Sequence, residues 1–175
     1  GTIPHNTHVD GNFLITSYYR DGTTVHDITY PNNMIEVAYY DSYSGSGNGF
    51  DGNWGTYPFL PSGNIISSDI NSGANQSAKL LIYERQFQQA CYLEGTVTDA
   101  NTTNAIASAN IEILTSSIST STNISGAYTS GIANGGTYNI LFSKPGYESD
   151  TISAILSNGV LTNVNAQLVP LPSFT

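Results

Sequence analysis

Short apolar runs alternate with polar residues along most of the chain, and Gly, Asn and Asp separate the runs. A period of two indicates β-strands with one buried and one exposed face. In the first half, this pattern predicts strands at 12–17, 23–28, 35–40, 56–59, 64–68 and 79–83. Asp-Gly pairs at 10–11 and 21–22 lie between apolar runs, as they do in β-hairpin turns.

The second half shows a clearer alternation. Tyr138, Ile140 and Phe142 occupy every second position between more polar neighbours, as a half-buried strand of a β-sandwich requires. The residues predicted to face them in the core are Val97, Ile111, Ile113 and Tyr128. The Lys-Pro-Gly-Tyr stretch at 144–147 predicts a tight turn, because Pro favours its first corner and Gly can take positive φ.

Composition supports a folded all-β protein in two parts. Of the 175 residues, 39% are hydrophobic and only 10% are charged, whereas a disordered chain normally carries more charge. The amino-acid composition changes around 84–92, from rich in Tyr, Asp and Gly to rich in Thr, Ser, Asn and Ile. We therefore predict a first segment over 1–88, a second domain over 92–169 and a C-terminal linker over 170–175.

Charge excludes some partners. The net charge is −9, and the chain has only four cationic residues, Arg20, Lys79, Arg85 and Lys144. A surface that tracks phosphates needs clustered cations, so nucleic acid is not an expected partner. No apolar run approaches the roughly 20 residues that a membrane-spanning helix needs, so membrane insertion is not expected either.

The single cysteine, Cys91, cannot form a disulfide within the chain. Two interpretations stay open, a buried small side chain and a bridge to sequence outside this chain. The chain starts at Gly1 inside a strand-like pattern, which favours a processed or trimmed piece of a longer protein.

The first half contains a weak internal repeat. A Gly-Asn turn followed by an apolar strand, a Gly-bearing turn and a second apolar strand starts at Gly11 and again at Gly63, a period of 52 residues typical of propeller blades. Residues 5–84 resemble the closing blades of secreted bacterial propellers built from LVIVD repeats, the choice-of-anchor B proteins. The shared motif is G-N-apolar run-S-x-Y-x-D-G-x-x-V-x-D-I. The resemblance implies propeller-blade-like antiparallel sheets, and two blades cannot close a ring.

The second half resembles the carboxypeptidase regulatory-like domain over 92–169. The matching positions are Gly95, Val97, Asp99, Ala109, Ile111, Ile113, Gly126, Tyr128, Tyr138, Ile140, Phe142, Lys144, Gly146 and Tyr147. The resemblance implies a seven-stranded transthyretin-like β-sandwich. In that family the catalytic zinc domain is a separate module, and no H-x-x-E motif occurs in this chain.

Two histidines near the start, His5 and His8, suggest a metal site. Residues three apart in an extended strand point to opposite faces, so these imidazoles are not expected to share one ion. A second candidate is the Gly-rich segment 41–55, where Asp41, Asn48, Asp51 and Asn53 offer oxygen ligands for Ca²⁺. The alternative is a plain surface loop, which for its length is also a candidate contact surface.

Three aromatic residues, Tyr43, Trp54 and Tyr57, are candidates for a carbohydrate-binding surface.

Thr151 lies in an Asp-Thr-Ile sequence that fits a bacterial O-glycosylation pattern. The sequence contains no G-x-S-x-G nucleophile motif, and Glu148 and Asp150 fit a solvated strand edge better than a catalytic pair. We therefore expect no enzyme activity.

The sequence favours a secreted or cell-surface structural or adhesive protein without catalysis or a resident cofactor. The incomplete ring suggests strand edges that pair between chains, so self-association into a surface filament is expected. The alternative is a carbohydrate- or protein-binding module of a larger secreted propeller protein, with glycans or other surface proteins as partners.

Overall fold

The computed structural model describes residues 3–45, 47, 49–70 and 77–172. These residues form fifteen β-strands and no helix, which confirms the predicted all-β class. Among them, no helix is therefore long and apolar enough to cross a membrane. The chain divides into two compact units, 1–89 and 90–175.

The first unit contains two antiparallel sheets. A four-stranded sheet has the order β1-β2-β3-β4, and a three-stranded sheet has the order β5-β6-β7. The strands are β1 (Asn6–Asp10), β2 (Phe13–Ser17), β3 (Thr23–Asp27), β4 (Ile35–Tyr40), β5 (Asn53–Tyr57), β6 (Ile65–Asp69) and β7 (Lys79–Tyr83). Both predicted Asp-Gly turns join neighbouring strands, and Gly11 and Gly22 adopt φ of 59° and 75°. At Gly22, a Cβ would also overlap the carbonyl oxygen of Tyr40.

The space between these two sheets holds little apolar material. Ile15, Val25 and Ile65 form its buried apolar cluster. The partly buried residues that pack against the cluster are Phe13, Val37, Ala38, Tyr83 and Phe87. Beside them lies a buried polar network of Thr23, Asn53, Thr56 and Ser67. The Asn53 amide donates to Thr23 Oγ1 at 2.6 Å and also to Ser67 Oγ, while Thr23 and Thr56 Oγ1 are 3.3 Å apart. Hydrogen bonding offsets the desolvation of these groups, so the network replaces part of an apolar core.

The arrangement of the sheets does not support the propeller interpretation. The repeat aligns Phe13 with Ile65 and Ile15 with Ser67, and these residues lie on the inner faces of the two sheets. Successive propeller blades contact through opposite faces, so aligned residues should not face one another. Most of the predicted strands are present, but β5 lies at Asn53–Tyr57 instead of 56–59, and β1 was not predicted. The unit consists of two meanders packed face to face.

The second unit is a β-sandwich. Its strands are β8 (Cys91–Asp99), β9 (Asn110–Ile113), β10 (Ser119–Ser121), β11 (Ala127–Ile132), β12 (Gly136–Ser143), β13 (Asp150–Leu156), β14 (Leu161–Asn163) and β15 (Ala166–Leu168). One sheet has the order β10-β9-β12-β13. The other joins β11 to β8, with β14 and β15 both parallel to β8.

A close contact interrupts the strand that pairs with β8. Val164 donates its N–H to the Glu94 carbonyl at 2.8 Å, and a Cβ at Gly95 would overlap the Val164 carbonyl oxygen. The Asn165 side chain then accepts the Thr96 N–H at 2.8 Å. Counted as one interrupted strand, β14 and β15 give the seven strands predicted from the sequence.

The sandwich core is apolar. It contains the predicted Val97, Ile111, Ile113, Tyr128, Ile140 and Phe142, together with Cys91, Leu93, Ile106, Ala109, Leu156, Val164, Ala166 and Leu168. Cys91 is fully buried, and burial raises the pKa of its thiol. Beyond β15, Leu171 still donates its N–H to the Gly146 carbonyl at 2.9 Å, so hydrogen bonds to the sandwich reach into the predicted linker.

Candidate interaction surface

The outward side of the three-stranded sheet carries exposed apolar side chains; we call this side the outer face. Its orientation follows from the register, because Thr56 and Ser67 on the opposite side are buried. Leu80 and Ile82 of β7 expose 69% and 64% of their surface. The two central rows are Tyr57–Ile66–Ile82 and Gly55–Ser68–Leu80.

A β-bulge at Trp54 determines which side chains reach this surface. Asn53 pairs with Asp69 and Gly55 pairs with Ser68, so Trp54 is an extra residue in β5. The extra residue changes the parity of the strand, and Asn53 and Thr56, three positions apart, both point inward. Trp54 and Tyr57 are both about half exposed, at 49% and 46%. Regular alternation would instead have placed Trp54 and Tyr57 on opposite faces.

Histidine rings pack against these aromatic residues. The His5 ring centroid lies 5.0 Å from that of Trp54. The His8 centroid lies 5.6 Å from that of Phe59 and 6.2 Å from that of Tyr57. Within the described residues, no group of three or more His, Cys, Asp and Glu is placed to hold a metal ion. By these ring contacts the two imidazoles extend a row of aromatic rings, which we call the aromatic strip: His5, His8, Trp54, Tyr57 and Phe59.

The third predicted aromatic residue, Tyr43, belongs to a different contact. The Arg20 guanidinium lies over its ring, 4.7 Å from the centroid, and pairs with the Asp51 carboxylate at 2.5 Å. Arg20 is 17% exposed, and Gly49 packs directly against its guanidinium. The described part of the Gly-rich loop is therefore organised around a cationic side chain, which sequence distance alone could not reveal.

The calcium hypothesis gains no support from this geometry and stays a prediction. Asp51 is neutralised by Arg20, and the Asn53 side chain lies in the buried polar network. Asp41 accepts the Tyr43 backbone N–H at 2.8 Å, as in an Asx turn. Asn48, the fourth candidate ligand, lies outside the described residues.

Thr151, the candidate glycosylation residue, is exposed at the start of β13. Its backbone N–H donates to Asp150 Oδ1 at 2.8 Å. Its modification stays a prediction, which the intact mass of the native protein tests.

Sequence reasoning missed Leu80 and Ile82 as surface residues. The sequence feature that could have revealed them is the unbroken apolar run Leu80–Tyr83. A strand with apolar residues on both faces normally has other protein elements packed on both faces. In this structure its second apolar face is exposed.

Comparison with known families identifies one of the two units. The family model for the carboxypeptidase regulatory-like domain matches residues 92–169. Residues 92–169 form a carboxypeptidase regulatory-like domain. The resemblance predicted for this domain is confirmed, whereas the LVIVD resemblance of residues 5–84 has no support in the comparisons. No curated protein matches the chain in sequence.

Solved structures give only distant similarity. A minor pilin of Streptococcus agalactiae is 15% identical with a TM-score of 0.40, over 68% of this chain and 65% of the pilin. The shaft pilin SpaA of Lactobacillus rhamnosus is 12% identical with a TM-score of 0.35, over 66% of this chain and 68% of the pilin. The TIE protein of Bacillus anthracis is 10% identical with a TM-score of 0.41, over 95% of this chain and 39% of that protein. Such low values do not carry a function from those proteins to this chain.

Proposed function

We propose that the chain is a non-catalytic structural or adhesive protein of the cell surface or extracellular space, and that it associates with further copies of itself. One observation carries this proposal. The outer face exposes Leu80 and Ile82 over more than 60% of their surface, while the opposite side of the same sheet buries Thr56 and Ser67. A contiguous exposed apolar surface of this kind marks an interaction site.

A second copy suits the outer face better than a charged partner does. Its central rows contain no ionisable group except the Tyr57 phenol, so contact would desolvate no charge. β7 also lies at the edge of its sheet, where strand pairing between chains is available. With a net charge of −9 per copy, salt should promote this association, because at 0.1 M it largely screens repulsion between exposed charges more than about 10 Å apart. The carboxypeptidase regulatory-like domain would serve as a spacer in the assembly.

Sedimentation velocity and electron microscopy of the full chain over a range of concentrations test the proposal. The wild type should show concentration-dependent assembly, and Leu80→Lys combined with Ile82→Lys should weaken it strongly. Ile124→Lys is the matched control, because Ile124 is 94% exposed and lies in the other unit. A wild type that stays monomeric at high concentration, or a double variant that assembles like the wild type, would overturn the proposal.

Carbohydrate binding is the second candidate, and the Trp54 bulge favours it. The bulge leaves both Trp54 and Tyr57 about half exposed, as an aromatic platform for a sugar requires. A glycan array with wild type, Trp54→Ala and Tyr43→Ala distinguishes the residues. Binding that Trp54→Ala abolishes and Tyr43→Ala leaves intact would support the aromatic strip as the site. Absence of binding to every glycan would reject this candidate.

A further inference from the structure

Among the described residues, strand β13 pairs with β12 alone and so forms an open edge of the sandwich. It pairs with β12 over all seven residues, from Gly136 opposite Leu156 to Phe142 opposite Asp150, without a bulge. It contains no Lys, Arg or Pro, and its only ionisable residue, Asp150, lies at one end. Bulges, Pro and inner charges are the usual protection of sheet edges against pairing with another chain. The central part of β13 lacks all three.

Backbone hydrogen bonds show which residues face this edge. The Asn139 carbonyl accepts the Leu114 N–H at 2.9 Å, so the peptide groups of Asn139 point toward β9 and away from β13. Ser153 is the partner of Asn139, and in an antiparallel pair of this type both residues turn their N–H and C=O away from each other. Ser153 therefore points its N–H and C=O outward. The period of two assigns the same direction to Thr151 and Ile155.

An independent contact agrees with this direction. The Thr151 N–H donates to Asp150 Oδ1 at 2.8 Å, which places that N–H outside the ladder with β12. The open edge thus presents Thr151, Ser153 and Ile155. Asp150 covers the first of the three donors.

We propose that β13 pairs with β13 of a second copy, antiparallel, about a two-fold axis at Ser153. In this register Ser153 lies opposite its own copy and Thr151 lies opposite Ile155. The outward N–H groups of Ser153 and Ile155 then both find carbonyl acceptors, while Asp150 still accepts the Thr151 N–H. The register also separates the two Asp150 carboxylates by about 20 Å, six residues along the strand, which is beyond the Debye length in physiological salt. Parallel pairing in register would instead place the carboxylates directly opposite each other.

This inference rests on the proposed self-association and adds a second, different surface to it. A two-fold contact uses the same strand on both copies and closes after two of them. It would join two four-stranded sheets into one of eight strands. Together with the outer face, it gives each copy two contact surfaces, which an open chain of subunits requires.

Ser153→Pro is the sharpest variant. Proline has no N–H and is tolerated on edge strands when that N–H faces away from the ladder, so the pairing with β12 should survive. The change removes the central donor from both copies and should raise the dimer Kd by roughly tenfold or more. Ser153→Ala is the matched control, because it retains the N–H. Ser153→Lys is a second test, since it places two ammonium groups opposite each other across the axis.

The measurement is sedimentation equilibrium of the full chain carrying Leu80→Lys and Ile82→Lys, so that only β13 association remains. A dimer that persists in this background and with Ser153→Ala, but dissociates with Ser153→Pro and Ser153→Lys, supports the inference. A monomer in this background, while the wild type assembles, overturns the inference and leaves the proposed function standing. A wild type that never assembles overturns both.

Amide hydrogen exchange adds a test of the register. The N–H groups of Ser153 and Ile155 should become protected as concentration rises. Those of Ile152 and Ala154, which point toward β12, should be protected at every concentration. Protection of Ser153 and Ile155 that does not depend on concentration would overturn the inference.

Discussion

The two units bury different kinds of side chain. Among the described residues, the carboxypeptidase regulatory-like domain has a core cluster of fourteen buried residues, whereas the first unit has a cluster of three and a buried polar network beside it. The first unit nevertheless has apolar residues, but Leu80, Ile82 and Trp54 are largely on its surface. Because apolar burial is the main stabilising contribution to folding, the domain should be self-sufficient. The first unit should gain stability from association.

The largest expected effect comes from the domain core. Phe142 is fully buried and packs edge-on against Tyr128, with ring centroids 5.8 Å apart. Phe142→Ala should lower the free energy of unfolding of the domain by about 3–5 kcal/mol, through lost burial and a cavity. Phe59→Ala, at a 45% exposed position in the first unit, is the control and should cost far less. Equal effects in urea titrations would contradict the comparison between the units.

The next effect tests the polar network of the first unit. Asn53→Ala removes the amide that donates to Thr23 and Ser67, and buried hydroxyls that lose partners cost about 1–3 kcal/mol. We expect the unfolding midpoint of the first unit to fall. Asn139→Ala, at an exposed position of β12, should change the domain by less than about 0.5 kcal/mol. An unchanged midpoint in Asn53→Ala would mean that the network does not stabilise this unit.

A smaller effect concerns a polar group inside the apolar core. Tyr128 donates its hydroxyl to the Val164 carbonyl at 2.7 Å, and burial, with a smaller contribution from Glu94, strongly raises its pKa. Tyr128→Phe should cost about 1–2 kcal/mol at neutral pH. Because the folded state retains the phenol proton, stability should fall as pH rises above the ordinary value of 10. This loss should be weaker in Tyr128→Phe, and an identical alkaline profile would argue against the assignment.

The smallest expected effect concerns the Asp99 carboxylate at the end of β8. Backbone N–H groups of Thr102 and Asn101 and the Tyr147 hydroxyl donate to Asp99 and lower the pKa of its carboxyl. A lowered pKa contributes stability above the unfolded-state value, and that contribution is lost as pH falls through the folded-state value. Asp99→Asn should therefore flatten the acid side of the stability profile of the domain. A profile parallel to that of the wild type would show that other carboxyl groups determine the acid dependence.

The alternation of apolar and polar residues was sufficient to predict most strands, but it did not predict which side chains form the exposed surfaces. Alternation places Ile140 and Phe142 correctly because each lies in a regular strand, and the predicted range 79–83 coincides with β7. The bulge at Trp54 is different, since it depends on the partner strand and leaves no local signal. The pairing of Arg20 with Asp51 spans 31 residues of sequence and follows from tertiary structure alone. Likewise, the outward direction of the Ser153 backbone groups follows from the hydrogen bond between Asn139 and Leu114, which sequence alone does not reveal.

The parallel pairing of β8 with β14 and β15 has a mechanical consequence. β8 begins the domain and β15 ends it, and they run side by side in the same direction. When the two ends of the domain are pulled apart, these strands slide along their length, and their evenly spaced hydrogen bonds resist the force together. Bonds at a hairpin end would instead open one after another. The domain should therefore resist a force that pulls its two ends apart.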